Sequence, residues 1–264
     1  MPVRIATWNV NSLKVRLPKL EDWLAYAQPD VVCLQETKMA DAAFPTMAFN
    51  ALGYEAAHNG EGRWNGVAIL SRIGLDDPVS GFRHDTEDPQ TESRLLTATC
   101  GGIRVSSVYV PNGRQVGTEH FDAKLRWLED LRRHLTTDLD PAKDPVVVCG
   151  DFNVAPDDRD VWDPSKANGG THVTPEERKQ IQALDDAGLA DAFRLQHQGH
   201  RLFSWWDYRA GDFHKHKGMR IDLVLVSKPL QPRVTFALID RQARKGKLPS
   251  DHAPVLVDLA DADA

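Results

Sequence analysis

A set of polar clusters terminating the apolar runs limits this chain more than any other feature. In order they are Trp8-Asn9-Val10-Asn11, Gln35-Glu36-Thr37-Lys38, Gly150-Asp151-Phe152-Asn153, Arg220-Ile221-Asp222 and Ser250-Asp251-His252. Most follow a stretch that reads as a buried strand, such as Val3–Thr7, Val31–Leu34 and Val146–Cys149. Asn, Glu, Asp and His at strand ends work against stability, because such groups prefer water and neighbouring carboxylates repel one another. A cation removes that repulsion. The pattern points to one metal-assisted site assembled from the whole length of the chain.

Further strand-like runs cover 54–58, 66–71, 95–100, 103–110, 221–227, 234–239 and 254–259. Between them, Leu17, Leu20, Leu24 and Ala27 share one helical face, with Pro18 expected in the first turn. Phe121, Leu125, Leu128, Leu131 and Leu135 form a longer stripe. Thr174-Pro175-Glu176-Glu177 reads as a capping box opening a third helix that Gly188 ends. No linker-like segment interrupts the chain, and the irregular stretch 155–174 reads as a loop over the site. Clusters from residue 9 to residue 252 must converge, which predicts one domain over residues 1–264. Its class is α/β: two packed sheets, helices outside, strand ends pooled at one rim.

Composition narrows the class further. The 264 residues are 41% hydrophobic and 27% charged, ordinary for a globular protein, and no apolar run reaches the length of a membrane span. The N-terminus enters a strand pattern at once, without the apolar region of a signal peptide. Cys33, Cys100 and Cys149 lie in apolar runs without metal-ligand spacing, which reads as core thiols in a reducing cytoplasm. A net charge of −6 argues mildly against a general polyanion binder. Two basic stretches, Arg209–Arg220 and Arg241–Lys247, adjoin the polar clusters and favour an anionic substrate locally.

Asn9, Asn11, Glu36, Asp151, Asn153 and Asp251 offer oxygen ligands almost exclusively, the donor set of Mg²⁺ or Mn²⁺ rather than zinc. Asp151 and Asn153, two apart, are expected on one face of an extended segment. An ionised Asp can deprotonate water, and an Asn amide can donate to a phosphoryl oxygen. His252, held by a carboxylate for which Asp222 is the candidate, would stay positive and suit charge developing on phosphate. Tyr109 and Asn112 end another apolar run and can grip phosphate oxygens. Phe203, Trp205 and Trp206 read equally well as core or as a stacking platform.

Together with Asn65–Arg72 and Tyr109-Val110-Pro111-Asn112, these clusters resemble, in order, the signature of the endonuclease/exonuclease/phosphatase superfamily. The stretch Leu202–Arg209, leading through a basic loop to Gly218–Leu223, is similar to the exonuclease III family of abasic-site DNA repair enzymes. The resemblance spans residues 3 to 259. It implies a four-layered α/β sandwich and Mg²⁺-dependent hydrolysis, with Mn²⁺ as substitute, of duplex DNA on the 5′ side of abasic sites. 3′→5′ exonuclease and 3′-end trimming on recessed 3′ ends belong to the same expectation. It further implies a monomer with no membrane partner, cytoplasmic and associated with the nucleoid. By the same resemblance Glu36 holds the metal with Asn9 and Asp251 nearby, and Asp151 is the base. Asn153 and Tyr109 hold the phosphate, and His252 with Asp222 stabilises its charge. Asp151 and Asn153 are also candidate ligands of a second ion. Asn11, Lys38, Asn112 and Arg220 sit on DNA, and Trp205, Met219 and Ile221 wall an abasic pocket. Met219 stands where the family often carries an aromatic. The alternative is a non-specific deoxyribonuclease or another phosphoesterase of the superfamily. A second catalytic His in mid-chain, usual in deoxyribonuclease I-like enzymes, is replaced here by Tyr109-Val110-Pro111-Asn112.

Overall fold

Successive residues of the central strands bury on opposite faces, and both faces are covered. In β1 (Val3–Asn9), Ile5 faces one core and Ala6 and Trp8 another; in β2 (Val31–Gln35), Val31 and Cys33 oppose Val32 and Leu34. The same division separates Val147 and Cys149 from Val146 and Val148 in β8 (Val146–Asp151). Two buried faces explain why these strands read as continuous apolar runs rather than alternating ones. Each fully buried Val or Leu side chain contributes on the order of 1.5–3 kcal/mol.

The computed structural model describes residues 2–82, 92–137, 139–167 and 169–261. The remaining strands are β3 (Glu55–Asn59), β4 (Val67–Ser71), β5 (Asp76–Ser80), β6 (Leu95–Cys100), β7 (Ile103–Tyr109), β9 (Leu189–Asp191), β10 (Asp222–Ser227), β11 (Val234–Ile239) and β12 (Val255–Leu259). They form two mixed six-stranded sheets, ordered β11-β12-β1-β2-β4-β3 and β5-β6-β7-β8-β10-β9. Helices α1 (Leu13–Ala27) and α2 (Thr46–Ala51) flank the first sheet. Helices α3 (Glu119–Thr137) and α5 (Pro175–Asp186) flank the second, giving the four layers. Short helices α4 (Pro164–Ala167) and α6 (Ala192–Gln196) complete the chain. Cys33, Cys100 and Cys149 are free and buried between the sheets.

Three expectations need adjusting. Helix α1 starts at Leu13, so Pro18 lies inside it rather than in its first turn. On α3 the buried face includes Lys124 and Trp127, while Leu125 is only partly covered. Strands β5 and β9 carried no apolar run: the first is a largely exposed polar edge and the second is three residues long. The capping box of α5 is formed as expected, with Thr174 and Glu177 bonding reciprocally and Pro175 at the first position. The stretch 155–174, described except for residue 168, holds one 3₁₀ turn and α4 and packs its Val161 and Val173 beside Trp205 and Met219.

Candidate active site

Strand register brings the polar clusters together. Asp151 pairs with Asp222 on one side and with Tyr109 on the other, and Asn9 pairs with Gln35, the residue before Glu36. Gly150 makes the β7–β8 contact possible: a Cβ there would lie 1.9 Å from the Val108 carbonyl oxygen. Beyond the strand ends the chain turns sharply. Asn11, Glu36, Lys38 and Asn153 all have φ between 44° and 52°, a region costly for residues with a side chain and held here by surrounding bonds. Asn153 therefore does not continue an extended segment. Its backbone N–H and its amide instead fold back onto Asp151, at 2.9 and 3.3 Å.

Asn9, fully buried, links the two halves. Its amide nitrogen donates to Glu36 Oε1 and Asp151 Oδ2, each at 2.9 Å. Its amide oxygen accepts from the Asn11 N–H at 3.0 Å, and the Asn11 side chain donates to Asp251 Oδ1 at 2.9 Å. Lys38 Nζ lies 2.7 Å from Glu36 Oε2 and donates to Asn11 Oδ1 at 2.6 Å. Asn112 donates to Asn153 Oδ1 at 3.3 Å, and Asn153 also donates to the Val110 carbonyl at 3.0 Å.

His252 Nδ1 faces Asp222 at 2.9 Å, leaving Nε2 pointing into the site 3.8 Å from Asp151 Oδ2. Both carboxylates are buried, so their charges act with little screening. Burial opposes a charged His252, yet Asp222 and Asp151 override it and raise the ring to about 10. Burial pushes Asp151 up to about 7, opposed by His252 and reinforced by Asp222 and Glu36. Burial also holds the Tyr109 hydroxyl well above the usual phenol range, with Glu36 and Asp151 acting in the same direction. Asp251, although half-buried, is held below the usual carboxylate range by His252 and by donors from Asn11 and Trp205.

The donor set fits a hard cation. Glu36, Asp151 and Asp251 supply carboxylate oxygens, Asn9 and Asn153 carry amide oxygens that here accept from Asn11 and Asn112, and the Lys38 ammonium already seated on Glu36 shows that this corner attracts positive charge. A tighter triplet, Asp151, Asp222 and His252, has its ligand atoms within 4.8 Å of one another. It suits an ion less well, because Asp222 is spent on His252 and on Ser204 Oγ at 2.6 Å. That triplet is an oriented imidazole beside a carboxylate, and the cation corner is at Glu36.

Trp205 and Met219 are partly exposed and pair with each other, and Trp205 also bridges to His252. Trp205 Nε1 donates to Asp251 at 3.1 Å, tying this wall to the acidic centre. Ile221, 2% exposed, backs the same cluster. Trp206 and Phe203 are core residues. Gly218 keeps the two Trp residues in place, since a Cβ would meet the Trp205 carbonyl at 2.5 Å. Arg220 is a correction: expected on DNA, it is 1% exposed and ion-paired to Asp160 and Asp191 beneath the wall. Its place two residues before Asp222 misled, because Arg220 precedes strand β10, where strand periodicity does not fix the direction of a side chain. Arg244, in the second basic stretch, is likewise buried among aromatic rings.

Four residues have partners that the sequence did not indicate, although Ser204 and Ser250 stand in its named stretches. Ser204 donates to Asp222, and Ser250 donates to the Asn9 carbonyl at 2.6 Å. Arg94 stacks on Tyr109 at 4.6 Å. Lys124 lies fully buried under Asn153, and its signal was a charge one turn from Phe121 and Leu128 on an apolar stripe.

This fold, with acids, amides and one oriented His at the strand ends, is a phosphoesterase arrangement. The chain matches the Endonuclease/Exonuclease/phosphatase family over residues 6–252 and belongs to it. Exodeoxyribonuclease III of Haemophilus influenzae is 36% identical over 97% of this chain and 100% of its own length. DNA repair nuclease APEX1 of Danio rerio is 32% identical over 98% of this chain and 82% of its own. An AP endonuclease from Archaeoglobus fulgidus superposes with TM-score 0.92 at 35% identity, covering 97% of this chain and 98% of that one. The 3′ phosphatase NExo from Neisseria, bound to product DNA hairpin, superposes with TM-score 0.93 at 36% identity, covering 98% and 100%. The chain is a hydrolytic nuclease of this family. No described helix is long and apolar enough to cross a membrane.

Proposed function

We propose that this protein is a Mg²⁺-dependent DNA-repair nuclease that cleaves duplex DNA on the 5′ side of abasic sites and also trims recessed 3′ ends. The observation that carries the reading is the pairing of Asp151 with the His252–Asp222 dyad across one strand register, next to the Glu36 carboxylate. Relatives named as exodeoxyribonuclease III, DNA repair nuclease and AP endonuclease support it. All the groups come from one chain, so a monomer suffices, and residues 1–264 act as one domain because both sheets supply the site.

In this reading Asp151 accepts a proton from water, whose oxygen adds to phosphorus as the P–O3′ bond breaks. His252, kept positive by Asp222, and the Asn153 amide donate to the phosphate oxygens, where negative charge builds in the transition state. The protonated Tyr109 hydroxyl adds a third donor. Glu36, with Asn9 and Asp251, would hold the cation, which when bound would supply further positive charge to offset that on the phosphate. Asp151 and Asn153 offer oxygens to a second ion. Asn11, Lys38 and Asn112, at the rim, contact the DNA strand. Trp205 and Met219, backed by Ile221, wall a pocket that admits a bare sugar; flipping a baseless nucleotide costs less than unstacking a paired one.

The test offers protein with Mg²⁺ a duplex carrying one abasic site and, separately, an intact recessed 3′ end. Cleavage at the abasic site, abolished by EDTA and restored by Mg²⁺ or Mn²⁺, is expected. Equal cutting of undamaged duplex would instead identify a general deoxyribonuclease, and full activity in EDTA after dialysis would end the metal reading.

A further inference from the structure

Beneath Asn153 lies an ion pair that the reaction as described does not use. Lys124 of α3 and Glu177 of α5 are each 0% exposed and bonded to one another. Removing both charges from water is costly, and apolar side chains of similar volume often hold such a position as well or better. The bonds of the pair indicate what this one does. Lys124 Nζ donates to the Asn153 carbonyl at 2.6 Å and to the Asn112 carbonyl at 3.3 Å, so one ammonium joins the two loops that carry these amides. Glu177 accepts from the Thr171 hydroxyl and the His172 N–H, both at 2.9 Å, and so draws the 155–174 loop onto the same point. His172 Nδ1 faces the same Asn153 carbonyl at 2.5 Å.

Backbone conformation agrees. Asn153 has φ 51° and His172 has φ 83°, and conformations this unfavourable persist only where surrounding bonds over-determine them. Gly113, next to Asn112, leaves the passage for the lysine: a Cβ there would lie 2.9 Å from Lys124 Cδ. We propose that Lys124 and His172 are positioning residues for Asn153. Their two donors fix its carbonyl, and with it the direction in which its amide meets the scissile phosphate. The proposal rests on the phosphate-holding role of Asn153 given above. A misaim of about 1 Å in such a donor can cost on the order of 100-fold in rate.

The experiment measures single-turnover rate and KM on abasic duplex, at matched folded fraction, for Lys124→Met/Glu177→Gln, His172→Gly and Asn153→Ala, and for each of the first two combined with Asn153→Ala. The lysine variant should lower the rate about 10-fold or more with KM little changed, and His172→Gly several-fold. In His172→Gly the relief of strain at φ 83° offsets part of the stability lost with the imidazole. Both effects should vanish in the Asn153→Ala background, as expected of residues acting through that amide. Wild-type rates in both variants, or undiminished effects on top of Asn153→Ala, would overturn the proposal. If the lysine variant does not fold, His172→Gly decides alone. A wild-type rate in Asn153→Ala itself would instead remove the phosphate-holding role.

Discussion

Two buried charged networks lie on either side of the Trp205–Met219 wall, and they are built on opposite principles. Around Asp160, two guanidiniums meet two carboxylates: Arg220 pairs with Asp160 and Asp191, and Arg194 with Asp160. Burial alone would raise Asp160, but Arg220 and Arg194 hold it below the usual carboxylate range. Around Asp151 the acids outnumber the bases. Glu36, Asp151, Asp222 and Asp251 face one imidazole and one lysine, and burial with the Asp222 and Glu36 charges pushes Asp151 up to about 7. The first network is neutral, two guanidiniums against two carboxylates, so it supports the fold. The second holds uncompensated negative charge, so it awaits a cation.

The largest expected effect separates the two with one kind of substitution. Asp151→Asn should lower kcat by roughly two or more orders of magnitude, since it removes the base while keeping an oxygen for Asn9. It should not lower stability, because it relieves carboxylate crowding. Asp160→Asn should do the reverse. Leaving two guanidiniums short of a carboxylate should cost about 3–5 kcal/mol, with kcat of the folded fraction far less affected. Urea denaturation and single-turnover assays on both variants decide it. A stable, inactive Asp160→Asn or an unfolded Asp151→Asn would break the division.

The same contrast explains what could be read in advance. The strands were legible because burial on both faces leaves a continuous apolar run, and the ends of those runs named Asn9, Glu36, Tyr109, Asp151 and Asn153. The His252–Asp222 pair was legible because each residue follows a recognisable cluster. Arg220 was misplaced because a residue string does not say which face a side chain takes just before a strand. Lys124 and Ser204 were passed over because their partners, Glu177 and Asp222, are respectively 53 and 18 residues away. Edge strand β5 lacks a buried face, so no periodicity could mark it.

A smaller effect should sharpen the boundary between the networks. Met219 and Trp205 form the wall between them, and Met219→Ala removes only packing. Trp205→Ala also removes the donor to Asp251. If the wall selects a bare sugar, both variants should lower the ratio of abasic to undamaged cleavage by on the order of 10-fold, the usual reach of apolar pocket contacts. A flexible thioether also makes a less discriminating wall than a rigid ring, so Met219→Phe should raise the ratio. If Met219→Ala lowers stability and leaves the ratio untouched, the residue belongs to the core and the pocket assignment fails.

The smallest effect is in the pH dependence of stability, measured by urea denaturation in EDTA so that no cation contributes. Asp151 keeps its proton in the folded protein up to about 7, whereas in the unfolded chain it loses it near the ordinary aspartate value of about 4. Between those pH values the folded state binds more protons than the unfolded state, so wild-type stability falls as pH rises through the window. Asp151→Asn is exempt. Its advantage over wild type should be near zero at pH 4, grow as pH rises to 7 and level off above. Asp160 carries the opposite sign. Its depressed folded value means its contribution is complete above the ordinary aspartate range and lost only as pH falls through the folded value. The penalty of Asp160→Asn should therefore be flat from pH 8 to about 5 and shrink only in stronger acid. An Asp151→Asn advantage that is flat with pH would mean that Asp151 is already ionised at pH 4, and that the acidic centre carries no more strain than the balanced network beside it.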